Sequence, residues 1–301
     1  EAIEAELAPL MMFITFDRSG SMGNNNKWTN ATNALKSFFA DPAAADLQVA
    51  LRFFPEGDCN GSSCNVNACA TPNVGVGPLT ADSAPVDTQE AALIASINSM
   101  SPSGGTPMSA ALQGAIQFST NSLAANPTHK TVVILVTDGE PNGCQENVGA
   151  IANIAASGLI DDVMTYTVGL VGSNENQLQQ IATAGGGEAF FVGNGNTEAE
   201  LLAALQAIRG ELLACEIPVP TPTQGPFDPN QVNVTFTAGD GSETTFGKVG
   251  SEANCTASGG WYYDDPSNPT TIVLCPSSCQ LVQGDEDGRI DVVLGCETIP
   301  G

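Results

Sequence analysis

The segment Thr131-Val132-Val133-Ile134-Leu135-Val136-Thr137-Asp138-Gly139 is continuously apolar from Val132 to Val136 and then breaks into Thr-Asp-Gly. An unbroken apolar run of this length does not alternate, so it reads as a strand covered on both faces, as in the middle of a parallel sheet. Outward from it the chain repeats one pattern. Candidate strands fall at 11–16, 47–54, 163–170 and 188–192. Candidate helices lie between them, at 27–40, 88–99, 107–123, 145–156, 174–183 and 197–213. Strand–helix alternation over residues 11–213 implies a doubly wound α/β sheet. Sites in such sheets form in the crevice outside the carboxyl ends of the strands.

Three oxygen-rich loops open on that edge. The 11–16 strand ends in Asp17-Arg18-Ser19-Gly20-Ser21, and the 131–137 strand ends in Asp138-Gly139. A third loop, Ser103-Gly104-Gly105-Thr106-Pro107, introduces a helix, with Pro107 suited to its first turn. Carboxylates and hydroxyls gathered around one point are ligands for hard divalent cations such as Mg2+, Ca2+ or Mn2+. By itself the pentapeptide also reads as a strand-to-helix turn, because Asp and Ser commonly cap helices.

The set Asp17, Ser19, Ser21, Thr106 and Asp138, in this order, resembles the metal-ion-dependent adhesion site of the von Willebrand factor A family. The resemblance covers residues 9–213. It implies a mostly parallel six-stranded sheet with a short antiparallel edge strand near 76–83, flanked by helices. It also implies that Ser19, Ser21 and Thr106 offer hydroxyls to one divalent cation, Mg2+ first, with Ca2+ or Mn2+ as alternatives. Asp17 and Asp138 would bind directly or through water. An open coordination position would then take an Asp or Glu side chain from a partner protein. The whole chain is further similar to secreted or lipid-anchored proteins of myxobacteria and related bacteria. A loop carrying Cys59, Cys64 and Cys69 and everything after Cys215 depart from the family pattern and inherit no function from it.

The remaining features bound the setting. With 8 Lys and Arg against 33 Asp and Glu, the formal net charge is −25, which disfavours nucleic acid and anionic lipid as partners. No stretch approaches the roughly 20 apolar residues that span a bilayer. Residues 1–10 lack the basic start and apolar run of a signal peptide and read as a mature N-terminus. Nine cysteines without paired C-x2-C knuckles, and a single His, His129, fit disulfides in an extracellular or cell-surface setting better than structural zinc. The odd count leaves at least one thiol free or paired with another chain.

After Cys215 five prolines between 218 and 229 read as an extended linker, 216–230. Short runs at 231–237, 243–248, 260–263, 270–274, 278–283 and 289–294 then read as a small antiparallel β domain, 231–301. Residues 1–10 stand as a separate segment before the 11–215 domain. Cysteines would staple the small domain. Spacing does not fix their connectivity; we expect Cys255 with Cys275, and Cys215 with Cys296. The acidic turn 285–288 lacks calcium-loop spacing and reads as a solvated hairpin turn. Trp261-Tyr262-Tyr263 reads as core or as a sugar-stacking platform.

The functional expectation is a non-enzymatic, metal-dependent adhesion or protein-binding module. Its alternative is a structural subunit of a surface fibre or layer, assembled through the β unit or the N-terminal segment. A Ser-His-Asp hydrolase is disfavoured. His129 precedes the 131–137 strand and Asp138 follows it, so roughly seven residues at about 3.3 Å each separate them.

Overall fold

The structure, a computed structural model, describes the chain except residues 1, 5–8, 128, 194–195, 214–215, 223–224, 284 and 286–287; for 210–213 and 283 it describes the backbone alone. The chain divides into two compact units, Pro9–Ile208 and the two chain ends, Glu1–Ala8 with Arg209–Gly301.

We number strands and helices in chain order. Strand β1, Ala2–Glu4, belongs to the second unit. The first unit contains β2 (Leu10–Asp17), α1 (Lys27–Phe39), β3 (Gln48–Phe54), α2 (Val66–Cys69), β4 (Val74–Pro78), α3 (Thr88–Asn98) and α4 (Met108–Ala125). It continues through β5 (Lys130–Thr137), α5 (Val148–Ile160), β6 (Val163–Gly169), α6 (Glu175–Ala184), β7 (Gly186–Phe191) and α7 (Thr197–Leu213), whose last residues pass into the second unit. Its six strands are ordered β4-β3-β2-β5-β6-β7. All neighbours are parallel except β3 and β4. This is the expected doubly wound α/β fold. The antiparallel edge strand lies at Val74–Pro78, slightly earlier than 76–83.

Burial explains why the central strands carry no alternation. Every residue of β2 is buried, and Val132 to Val136 of β5 are fully so. Successive side chains point to opposite faces. Met11 and Phe13 join one core with Met108, Leu112 and Ile151 of α4 and α5. Phe16 points the other way and packs edge-on against Trp28 of α1, with ring centroids 5.7 Å apart. Full burial of each large apolar side chain contributes about 1.5–3 kcal/mol.

The strand order places the site. From β2 the chain winds outward through β3 to β4, returns to β5 beside β2, and winds the other way through β6 to β7. The loops after β2 and β5 therefore diverge, leaving a crevice at their carboxyl ends. The register sets Phe16 opposite Val136, so Asp17 and Thr137 end these neighbouring strands side by side.

The cysteine-bearing insertion is held by two disulfides, Cys59–Cys69 and Cys64–Cys144. The second reaches from the insertion to the loop after β5. Helix α2 lies inside the insertion and has no long periodic pattern to announce it.

The second unit contains β8 (Glu216–Pro218), β9 (Val232–Thr237), β10 (Glu243–Phe246), β11 (Trp261–Tyr263), β12 (Thr271–Leu274), α8 (Pro276–Gln283) and β13 (Arg289–Leu294). Two antiparallel sheets form, β1-β13-β9-β10 and β11-β12-β8. Their core includes Val234, Phe236, Trp261, Ile272 and Val292. Trp261 and Tyr263 are buried, so the aromatic run is core rather than a sugar platform. The indole N–H of Trp261 donates to the Phe246 carbonyl at 3.1 Å.

Several expectations change here. Ala2–Glu4, expected within a separate N-terminal segment, pairs along β13. The expected linker opens with β8, because Ile217 is buried and Glu216–Pro218 pairs with β12. Residues 278–283, read as a strand, are helical as part of α8. Cys255 pairs with Cys275 as expected. The Cys215–Cys296 pairing is overturned: Cys296 is a free, exposed thiol, whereas Cys279 is disulfide-bonded. Cys215 itself lies outside the described residues, as do Glu286 and Asp287 of the acidic turn.

Among the described residues, no helix is long and apolar enough to cross a membrane.

Candidate metal centre

Asp17 is the last residue of β2 and is fully buried. Its two carboxylate oxygens have separate partners. The Ser19 backbone N–H donates to Oδ1 at 2.6 Å, and the Thr137 hydroxyl donates to Oδ2 at 2.6 Å. Burial still dominates, pushing the Asp17 carboxyl up to about 6. The donors from Thr137 and Ser19 oppose that rise, and the nearby charge of Asp138 adds to it.

A chain of contacts leads outward from Ser19. The hydroxyls of Ser19 and Ser21 lie 3.0 Å apart, and Ser21 donates to Asp138 Oδ1 at 2.8 Å. Asp138 is buried directly after β5, and its Oδ2 accepts from the Lys27 ammonium. Lys27 also donates to the Val171 carbonyl at 3.1 Å.

Thr106 completes the set from the third loop and is 5% exposed. Its hydroxyl borders Gly139 together with that of Ser21. A Cβ on Gly139 would stand 3.4 Å from Thr106 Oγ1 and 3.9 Å from Ser21 Oγ. Backbone bonds fix the loop in place: Gly20 N–H donates to the Gly104 carbonyl at 2.9 Å, and Ser103 N–H to the Arg18 carbonyl at 2.6 Å. Asn142 N–H donates to the Thr106 carbonyl at 2.9 Å, linking the loop after β5. Gly104 has φ +85, and a Cβ there would meet Pro55 Cγ at 2.8 Å, so this turn requires glycine.

The structure thus brings Asp17, Ser19, Ser21, Thr106 and Asp138 to one crevice. Two carboxylates and three hydroxyls are hard oxygen donors suited to a divalent cation. Asp17, buried and held short of full acidity, is a group whose charge such a cation would stabilise. Among the described residues, no group of three or more His, Cys, Asp or Glu side chains is placed to hold a metal. The donor set here therefore depends on its hydroxyls. Sequence reading missed Thr137, which orients Asp17, and Lys27, which pairs with Asp138. The Thr before Asp138 was visible as a strand end, whereas nothing in the sequence marks Lys27.

Two family models, both described as von Willebrand factor type A domain, match residues 11–140 and 78–206. No curated protein matches the chain. Among solved structures, the chain is similar to proximal thread matrix protein 1 from the mussel byssus, at 21% identity over 73% of this chain and 51% of that one, with a TM-score of 0.47. The chain therefore spans about half the length of that protein. It is also similar to the vWF domain of the type V pili tip protein Mfa5 from Porphyromonas gingivalis, at 14% identity over 69% and 97%, with a TM-score of 0.49. A third likeness is to the manganese-loaded TRAP protein of Plasmodium vivax, at 15% identity over 92% and 97%, with a TM-score of 0.42. The matched segments together span residues 11–206, and over them this chain has a von Willebrand factor A-like α/β fold.

Proposed function

We propose that the crevice between β2 and β5 binds one divalent cation and that the loaded site captures an Asp or Glu side chain of a partner protein. Ser19, Ser21 and Thr106 contribute hydroxyls, while Asp17 and Asp138 bind directly or through water and balance charge. Mg2+ is the leading metal, with Ca2+ and Mn2+ as alternatives. A bound divalent cation with an open position supplies strong attraction for an anionic oxygen. The protein's part is to hold the oxygens in place and to leave that position accessible. The observation that carries this reading is the convergence of five oxygen-bearing side chains from three loops at the switch point of the sheet.

The role is that of a non-enzymatic adhesion or protein-binding module working outside the cell. The disulfides Cys59–Cys69, Cys64–Cys144 and Cys255–Cys275 support that setting. The test is a titration of the wild type and of an Asp17→Ala, Asp138→Ala double variant with Mg2+ and Mn2+. One site is expected in the wild type and none in the variant; equal binding by both rejects the assignment.

A second reading, assembly of copies into a fibre or layer, is favoured by β1. This three-residue edge strand comes from the far end of the chain and pairs antiparallel with β13, an arrangement that a segment from a neighbouring copy can reproduce. Light scattering at high concentration with Mg2+ tests it: growth with concentration supports assembly, and a persistent monomer argues against it.

A further inference from the structure

Lys27 is a basic side chain in contact with the five-residue cluster, and its placement is locally unfavourable. It opens α1, where a cation opposes the helix dipole. It is buried, so its ammonium has lost most of its water. The chain enters α1 through Asn25 and Asn26, both with left-handed backbone, at φ 54 and 59. Asn tolerates that conformation better than most residues, but still at a cost. These costs are set against two contacts, the Asp138 carboxylate and the Val171 carbonyl in the loop after β6.

Charge gives the placement a consequence. Two carboxylates and one ammonium leave the cluster with one net negative charge. A divalent cation converts that to one net positive charge, and a partner carboxylate then brings it to neutrality. With a neutral residue at 27, the two carboxylates would balance the cation by themselves. An incoming carboxylate would then meet a neutral centre already surrounded by anions.

We propose that Lys27 is a specificity-determining positioning residue, a fixed internal cation acting through Asp138. It weakens the hold on the metal and leaves the loaded site electropositive, so that a carboxylate is preferred over water at the open position. The inference rests on the metal-binding reading above and adds to it the reason for anion selection.

The test uses the full chain, Mn2+ as metal and acetate as probe carboxylate. Mn2+ affinity is read by calorimetry, and acetate binding by paramagnetic broadening of its proton signal. In Lys27→Gln, Mn2+ binds about tenfold more tightly and acetate about tenfold more weakly than in the wild type. Lys27→Arg, which keeps the charge, stays nearer the wild type on both measures. A variant that leaves both affinities unchanged, or weakens both together, overturns the proposal. Thermal unfolding provides a second readout should Lys27→Gln be too unstable to titrate. The variant is expected to melt lower than the wild type without metal and to gain more from saturating Mn2+. An equal loss with and without Mn2+ marks a merely structural lysine and overturns the proposal. A wild type that binds no Mn2+ rejects the metal reading itself, together with this inference. A wild type that binds Mn2+ while the opposed shifts are missing rejects the role of Lys27 alone.

Discussion

Asp17 carries the least comfortable charge in the crevice. Its carboxyl is raised from the ordinary 3.8 to about 6, chiefly because it is buried. Between those values the folded chain holds a proton that the unfolded chain releases. Asp17 therefore contributes stability to the metal-free protein that is complete below about 3.8 and lost as pH rises through about 6. The difference is on the order of 3 kcal/mol for a shift of this size. A divalent cation bound as proposed would replace the proton, so its affinity should move oppositely, falling as pH drops from 7 to 5. Calorimetric titrations at pH 5, 6 and 7 check this, and Asp17→Asn should remove most of the dependence. At this scale the sequence was readable where chemistry coincided with a strand end. Asp17, Ser19, Ser21, Thr106 and Asp138 all meet where the expected strand ends and loop met. Lys27 was not readable, because a lysine at the start of an amphipathic helix ordinarily faces water. In the structure the chain makes a left-handed turn at Asn25 and Asn26, and the Lys27 side chain is buried against Asp138.

Among the elements, the loop after β5 is constrained from several sides. It bears Asp138, its Asn142 N–H bonds the Thr106 carbonyl, and Cys144 ties it to the insertion through Cys64. Asn142 and Gly143 lie close against Gly61 of the insertion. The disulfide therefore restrains the loop that bears Asp138 as well as the chain at large. A Cys64→Ser, Cys144→Ser double variant should lose about 2–4 kcal/mol of stability. It should also bind the cation more weakly, because Asp138 and Thr106 lose a common anchor. Denaturant unfolding and Mn2+ titration measure the two effects separately, and loss of stability without loss of affinity would limit the disulfide to a structural role. Long elements with continuous or periodic apolar patterns, such as β2, β5 and α4, were visible in sequence. Some short ones were not. Strand β8 lies among prolines and is fixed by pairing with β12, and residues 278–283 of α8 carry a pattern too short to separate strand from helix. The pairing of Cys296 failed for a related reason, since connectivity depends on where strands come to rest rather than on spacing.

For the whole molecule, the net charge of −25 bears on the partner. A protein so acidic repels an acidic ligand at long range, but salt limits that repulsion to about 8 Å at physiological ionic strength. Within that distance a site loaded as proposed would be governed by the cation, Asp17, Asp138 and Lys27. Doubly wound topology supplies the crevice. The two sheets of the second unit close on a core of their own that includes Val234, Phe236, Trp261 and Ile272. Cation binding between β2 and β5 is measured by calorimetric titration of the metal-stripped full chain with Mn2+. One Mn2+ per chain is expected in the wild type, with binding abolished in the Asp17→Ala, Asp138→Ala variant while the fold persists. Undiminished Mn2+ binding in that variant, or none in the folded wild type, would contradict that expectation.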